Sequence, residues 1–328
     1  MVRLLSKSDM VSLLHMDDVI HAVEEGFRTL NPQEDHIPVR LPLQITDRES
    51  VVLFMPAYHS ASKTMGAKTV SVYPENPASG LPAIMGYYTL FDVTSGKLMA
   101  LMDATYLTGI RTAAASAVAT KYLIRKEARI MGIIGAGVQA RFHAEAMLLV
   151  QPIDEVIISN RSVEKGARLV QELASQYAIP VHLAETADAC AAQADILITC
   201  TATREPLFDG HVLRPGTHIN AIGAYTPEMR ELDSGTLQHA QVFVDTYAGA
   251  FEEAGDLLIP IREGIINRDH VQAELSDLVK GQKPGRTNDQ DITVFKSVGY
   301  AMEDAVTARL AYEKAVEGDI GLLFGLDV

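Results

Sequence analysis

Cysteine is nearly missing from this chain. Cys190 and Cys200 are two among 328 residues, and they can form neither a disulfide framework nor a metal-ligand set of familiar spacing. This excludes a stapled secreted scaffold and predicts a reducing, cytoplasmic setting with no bound metal. Positive charge is also scarce: 28 Lys and Arg face 42 Asp and Glu, for a formal net charge of −14. So acidic a chain suits neither a nucleic-acid backbone nor an anionic membrane surface. A small anionic ligand would need a local basic pocket. Long apolar runs are absent too. No stretch approaches the roughly 20 apolar residues of a membrane span, and charge interrupts "MVRLLSKSDMVSLLHMDDVI" too early for a signal peptide. There are no repeats and no low-complexity segments.

What remains is ordinary globular material, 48% hydrophobic and 21% charged, in a length that predicts two domains. Residues 1–30 read as helical, with apolar residues three and four apart in "SKSDMVSLLHMDDVIHAVEEGFRTL". From about 36 to 105 the period drops to two. "VVLFMPAY", "MGAKTVSVYP", "AIMGYYTLFD" and "KLMALMD" are short strands split by turn-formers, which predicts an antiparallel sheet. Residues 107–124 read as a helix rich in small residues. From 128 strands and helices alternate, the pattern of a doubly wound parallel sheet. "NRDHVQAELSDLVKG" reads as helical within it, and a long helix, Tyr300 to Val316, follows. The tail "GDIGLLFGLDV" is expected to return to the first domain. The predicted class is therefore α/β: a Rossmann domain over 119–302 inserted in an antiparallel α+β domain made of 1–118 and 303–328.

Within that rhythm, "IIGAGVQARFHAEAM" joins a buried-strand candidate to a helix through Gly135 and Gly137, with Ala140 in the third small position. Gly135 allows the tight turn, Gly137 lets backbone approach a pyrophosphate, and Ala140 lets helix and strand pack. The anion would rest on the amides at the helix start, Val138 and Gln139 among them. The next strand, "EVIISNRS", ends in Asn160, Arg161 and Ser162, with no carboxylate to grip a ribose 2′-hydroxyl. Arg161 could clamp a 2′-phosphate. The expected cofactor is NADP(H), with NAD(H) possible; a solvated Arg161 is the plain alternative.

Three cations stand out. Lys68 in "TMGAKTVSVYP" shares a strand face with Gly66, Val70 and Val72, a costly place unless it meets an anion. Arg111 lies near the start of its helix, where a guanidinium and free amides can hold one carboxylate. Arg40 sits between prolines on a stiff segment. Each has a bland reading as well: a lysine reaching solvent at the sheet edge, a surface ion pair, an exposed arginine.

These pieces coincide with one family. The stretches "PVRLPL", "GAKTVSVYPEN", "TGIRTAAASAVAT", "GIIGAGVQARFHAEA", "CTATRE", "INAIGAYTPEMRELD" and "DITVFKSVGYAMED" resemble, in order and over nearly the whole length, the ornithine cyclodeaminase/mu-crystallin family. The resemblance implies a homodimer formed through the N-terminal domain. It implies that Arg40, Lys68 and Arg111 meet a substrate carboxylate, and that Thr201 and the Ser297 segment line the cofactor.

One departure is informative. Ornithine cyclodeaminases and the related alanine dehydrogenases carry aspartate where this sequence has Tyr225, and that aspartate handles the substrate amine. Tyrosine, with an ordinary pKa of about 10, cannot replace a carboxylate base at pH 7. Glu228, three residues on, is expected to face solvent. A substrate that already holds its C=N bond fits better. In this respect the chain resembles the family's cyclic imino acid reductases, and that resemblance implies reduction of Δ1-pyrroline-2-carboxylate to L-proline, or of the six-membered analogue to L-pipecolate. Lys68 and Tyr225 are the candidate catalytic groups, with Lys68, Tyr225 or water as proton donor. The alternatives are ornithine cyclodeaminase, an alanine dehydrogenase-like enzyme, and a mu-crystallin-like NADPH-dependent ligand-binding protein.

Overall fold

A computed structural model describes residues 1–48 and 50–326. The chain divides into two compact units, Met1–Thr112 with the chain from Tyr300 onwards, and Ala113–Gly299. The crossings thus fall at 112/113, inside the helix that spans residues 104–123, and at 299/300, just before the helix that spans residues 301–317.

In the first unit, β1 (Val2–Leu5) leads into α1 (Lys7–Leu13) and α2 (Met16–Thr29). The helical reading of residues 1–30 therefore needs correction at its start, where a short strand pairs with a distant one. Helix α1 begins at a reciprocal cap, with Ser6 and Asp9 each accepting the other's backbone amide. Helix α2 buries Met16, Val19, Ile20, Val23 and Phe27 at spacings of three and four, each worth roughly 1.5–3 kcal/mol as an upper estimate. Next come β2 (Leu41–Ile45), β3 (Ser50–His59), β4 (Thr64–Val72), β5 (Ile84–Phe91) and β6 (Leu98–Asp103), then α3 (Ala104–Leu123), which runs on into the second unit.

The second unit continues with β7 (Ile130–Ile134), α4 (Val138–Val150), β8 (Glu155–Ser159), α5 (Val163–Gln176), β9 (Val181–Leu183), α6 (Ala187–Ala191), β10 (Ile196–Thr199) and β11 (His218–Ala221). It ends with α7 (Ser234–His239), β12 (Gln241–Val244), α8 (Tyr247–Glu253), α9 (Gly255–Arg262), β13 (Val271–Glu274), α10 (Leu275–Val279) and β14 (Thr293–Lys296). Among the described residues its eight strands lie in the order β13-β12-β14-β11-β10-β7-β8-β9, all parallel. Strands buried on both faces explain the unbroken apolar runs at β7 and β10. The chain leaves β7 towards β8 on one side and returns to β10 on the other, so β7 and β10 flank the switch point where such sheets bind ligands. The helix expected over "NRDHVQAELSDLVKG" is corrected: its middle is β13, recruited by pairing with β12, and the helical parts are a single 3-10 turn at Arg268–His270 and the short α10.

The chain re-enters the first unit through α11 (Ala301–Glu317) and β15 (Leu322–Phe324). Among the described residues the sheet order is β15-β1-β6-β5-β4-β3-β2. It is antiparallel except for β1 against β6. The tail returns as expected, with β15 on β1, although Asp327 and Val328 lie outside the described residues. Helix α11 packs on α2, β3 and β4 and covers the sheet face of Met55, Lys68, Val70, Tyr88 and Met102, all buried. The opposite face leaves Leu41, Leu43, Phe54, Tyr87 and Leu101 exposed. Among the described residues no helix is long and apolar enough to cross a membrane.

Candidate active site

The first unit gathers charge under α11. Lys68, in the middle of β4, is 1% exposed, and Arg111, on α3, is 4% exposed. Both reach one atom: Asp304 Oδ1 lies 2.8 Å from Lys68 Nζ and 2.9 Å from Arg111 Nε. Arg111 also donates through Nη1 to Glu303 Oε2 at 2.7 Å. A buried lysine and a buried arginine are tolerable here because two carboxylates on the first turn of α11 face them. Burial brings the Lys68 ammonium down from 10.5 to about 8, with the Arg111 charge adding to the fall, Asp304 pulling back, and Arg40 contributing a smaller push. Arg40 is half-buried just before β2. Arg111 and Arg40, the other two cations named from sequence, therefore lie within electrostatic reach of Lys68 Nζ, and the surface readings of Lys68 and Arg111 fail.

Tyr88, the direct cross-strand partner of Lys68, was not legible as part of this cluster. Its ring lies across β4 where residue 66 has no side chain: a Cβ on Gly66 would meet the Tyr88 hydroxyl oxygen at 2.4 Å and the Thr89 carbonyl at 2.5 Å. Burial and the Asp304 charge push the Tyr88 hydroxyl upward, so it stays protonated. Among the described residues neither that hydroxyl oxygen nor Asp304 Oδ2 has a hydrogen-bond partner.

The second unit carries the glycine turn at the C-terminal end of β7. Gly135 has φ 120°, and a Cβ there would lie 2.9 Å from both the Cys200 carbonyl oxygen and Cys200 Sγ. Only glycine fits that conformation and that gap. Gly137 is the N-cap of α4, with no side chain capping the helix start and no atom within 4 Å of where its Cβ would be. Uncapped amides facing open space fit a pyrophosphate, and the helix dipole favours it. Val138 and Gln139 follow Gly137 in the first turn, while Ala140 is fully buried beneath it. Arg141, which sequence reasoning missed, fastens the turn by donating to the Gly137 carbonyl at 2.9 Å while its Nε holds Glu172 at 2.8 Å.

Beyond β8, Asn160 Nδ2 donates to the Ser162 carbonyl at 2.8 Å and Ser162 caps α5, leaving Arg161 exposed on the turn between them. Thr201 follows β10, with its amide and hydroxyl both donating to Glu231 Oε1 at 2.6 and 2.8 Å. Ser297 follows β14 and donates to Asp245 Oδ2 at 3.0 Å. Tyr225, in the loop after β11, is half-buried against the parallel-sheet core, and Glu228 is exposed. Among the described residues no three of His, Cys, Asp and Glu are grouped to hold a metal.

The model of the ornithine cyclodeaminase/mu-crystallin family matches residues 2–319. The chain belongs to that family. A Δ1-pyrroline-2-carboxylate reductase of Bacillus cereus is 37% identical over 318 residues, 97% of this chain and 98% of that one. The Δ1-pyrroline-2-carboxylate reductase of Thermococcus litoralis, solved with NADH and L-proline, superposes with a TM-score of 0.96 at 41% identity, over 98% of this chain and 100% of that one. An archaeal alanine dehydrogenase dimer with bound NAD gives a TM-score of 0.93 at 33% identity, over 98% of each chain.

Proposed function

We propose that this family member reduces a small cyclic imino acid, Δ1-pyrroline-2-carboxylate or its six-membered analogue, at C2 with a nicotinamide nucleotide. The observation that carries the reading is the convergence of Lys68 and Arg111 on one carboxylate oxygen, a preformed cationic nest inside an acidic protein. The reduced nicotinamide, when bound, supplies a hydride. Gly135, Gly137 and the amides of Val138 and Gln139 would hold its pyrophosphate, with Asn160, Arg161 and Ser162 at the adenosine end and Thr201 and Ser297 at the other.

The protein's own groups bind and orient the acid. Arg111 keeps its plane fixed by two carboxylates and offers its remaining N–H groups to the substrate carboxylate. Lys68 spends one of its three N–H bonds on Asp304 and keeps two. An ammonium brought down to about 8 can also release a proton to the imine nitrogen, whose protonated form accepts hydride better. Tyr225 cannot act as a carboxylate would on an amine, which favours this reaction over ammonia release from ornithine.

A panel of both imines, ornithine, and pyruvate with ammonia, each with NADPH and NADH, tests the proposal. Stoichiometric cofactor oxidation with an imine is expected; no turnover with either ring size rejects it. NADPH is the proposed preference, resting on Arg161 and the missing carboxylate after β8. Changing Arg161 to Asp should move the ratio of kcat/KM values at least about tenfold towards NADH, and an unchanged ratio would return Arg161 to a solvated role. We place the protein in a reducing cytosol, in keeping with its unpaired thiols. We assign the exposed face of Leu41, Leu43, Phe54, Tyr87 and Leu101 to contact with a second copy; a one-chain mass in sedimentation would refute that.

A further inference from the structure

The second unit contains a buried ionic assembly that the mechanism above does not use. Glu231, fully buried between β11 and α7, collects four donors from three places. Its Oε1 accepts the Thr201 amide and hydroxyl at 2.6 and 2.8 Å. Its Oε2 accepts the Thr199 hydroxyl at 2.9 Å and the Gly223 amide at 2.7 Å. The two backbone amides, one on each oxygen, can only donate, and the two hydroxyls add to them. Burial pushes the Glu231 carboxyl up, Lys296 pulls it down, and Asp256 pushes it up again. Asp256, from α9, accepts the Glu231 and Leu232 amides through Oδ1 at 2.7 and 2.9 Å. Its other oxygen lies 2.9 Å from Lys296 Nζ at the end of β14. The packing leaves no slack: a Cβ on Gly223 would fall 2.1 Å from the Thr201 carbonyl, and one on Gly255 2.0 Å from the Met229 carbonyl.

The place of this assembly matters. Thr199 closes β10, and the Cys200 carbonyl borders Gly135 of the glycine turn. The Thr201 segment is thus the wall facing that turn across the switch point. A dinucleotide whose pyrophosphate rests on the turn sends its adenosine towards the end of β8, so its other half lies over β10 and β11. We propose that Glu231 is a positioning residue that fixes the Thr201 segment as the nicotinamide-side wall of the nucleotide site. The inference rests on the nucleotide reading given above and adds to it which half of the cofactor depends on this carboxylate.

NADH and ADP-ribose differ by the nicotinamide ring, so the ratio of their dissociation constants isolates what that ring contributes. Glu231→Gln keeps the shape but turns an amide NH₂ towards donors, which disrupts one side of the set. It should weaken NADH at least tenfold and leave ADP-ribose within twofold of the unchanged protein. Thr201→Val, which retains the amide bond and the branch, should show the same pattern at a few-fold, and decides the matter if the glutamine variant does not fold. A residue that merely holds the domain together would weaken both ligands alike; that result, or no change in either, overturns the proposal. An unchanged protein that binds neither of these nor NADPH would instead overturn the nucleotide reading itself.

Discussion

Asp304→Ala is expected to lower the unfolding free energy by about 3–5 kcal/mol, the cost of removing one partner from a buried ion pair. The reason is geometric. Asp304 Oδ1 serves Lys68 Nζ at 2.8 Å and Arg111 Nε at 2.9 Å, so one truncation strips two buried cations of an acceptor. Arg111 keeps Glu303, whereas among the described residues no other carboxylate pairs with Lys68. Adding Lys68→Met to the alanine variant should therefore recover a large part of the loss, because the stranded charge leaves with its side chain. Urea unfolding followed by circular dichroism measures this, analysed as two units rather than as one transition. A loss below about 1 kcal/mol would mean that water already compensates the cluster.

The second large effect is on pH dependence. Lys68 is brought down from 10.5 to about 8, so a reaction that needs its ammonium to hold a carboxylate should lose kcat/KM by about tenfold per pH unit above that value. The groups that set this are Arg111 and Arg40, which push the value down, and Asp304, which pulls it up; Glu303 pairs with Arg111, and Tyr88 stays neutral across this range. Asp304→Asn removes the pull and should move the alkaline fall to lower pH. Lys68→Arg, whose cation does not titrate here, should leave only the fall belonging to the imine itself. An alkaline limb unmoved in both variants would remove Lys68 from the protonation scheme. The same shift acts on stability. Between about 8 and 10.5 the unfolded chain binds a proton that the folded chain does not, so this group adds stability as pH rises through that window, while below about 8 its penalty is constant.

The parallel sheet was legible because strands buried on both faces must be apolar throughout, as in "ARIMGII" and "DILITC". The sheet of the first unit was legible from alternation, and Lys68 stood out as the residue breaking that pattern. Strand β1 was not, since Val2–Leu5 is short and runs directly into helical spacing; its pairing with β6 decides it. Strand β13 fails similarly, because Gln272 and Glu274 suit a helix locally. Glu303 and Asp304 were read only as part of a motif. Adjacent carboxylates in the first turn of a helix look like solvated, dipole-favoured groups, and nothing local shows that this helix lies over Lys68. Glu231 and Asp256 escaped for the same reason: their donors come from separate strand ends.

Lys68 and its carboxylate are 236 residues apart in the chain, with the whole nucleotide unit between them. At about 5–20 residues per second, a ribosome takes roughly 10 to 50 s to cover that distance. Throughout that interval Lys68 has neither Asp304 nor α11 available to it. The inner unit, contiguous from Ala113 to Gly299, has every segment it requires before the outer one does. Biogenesis of the cationic nest is therefore a closing event, completed only when the last helix emerges.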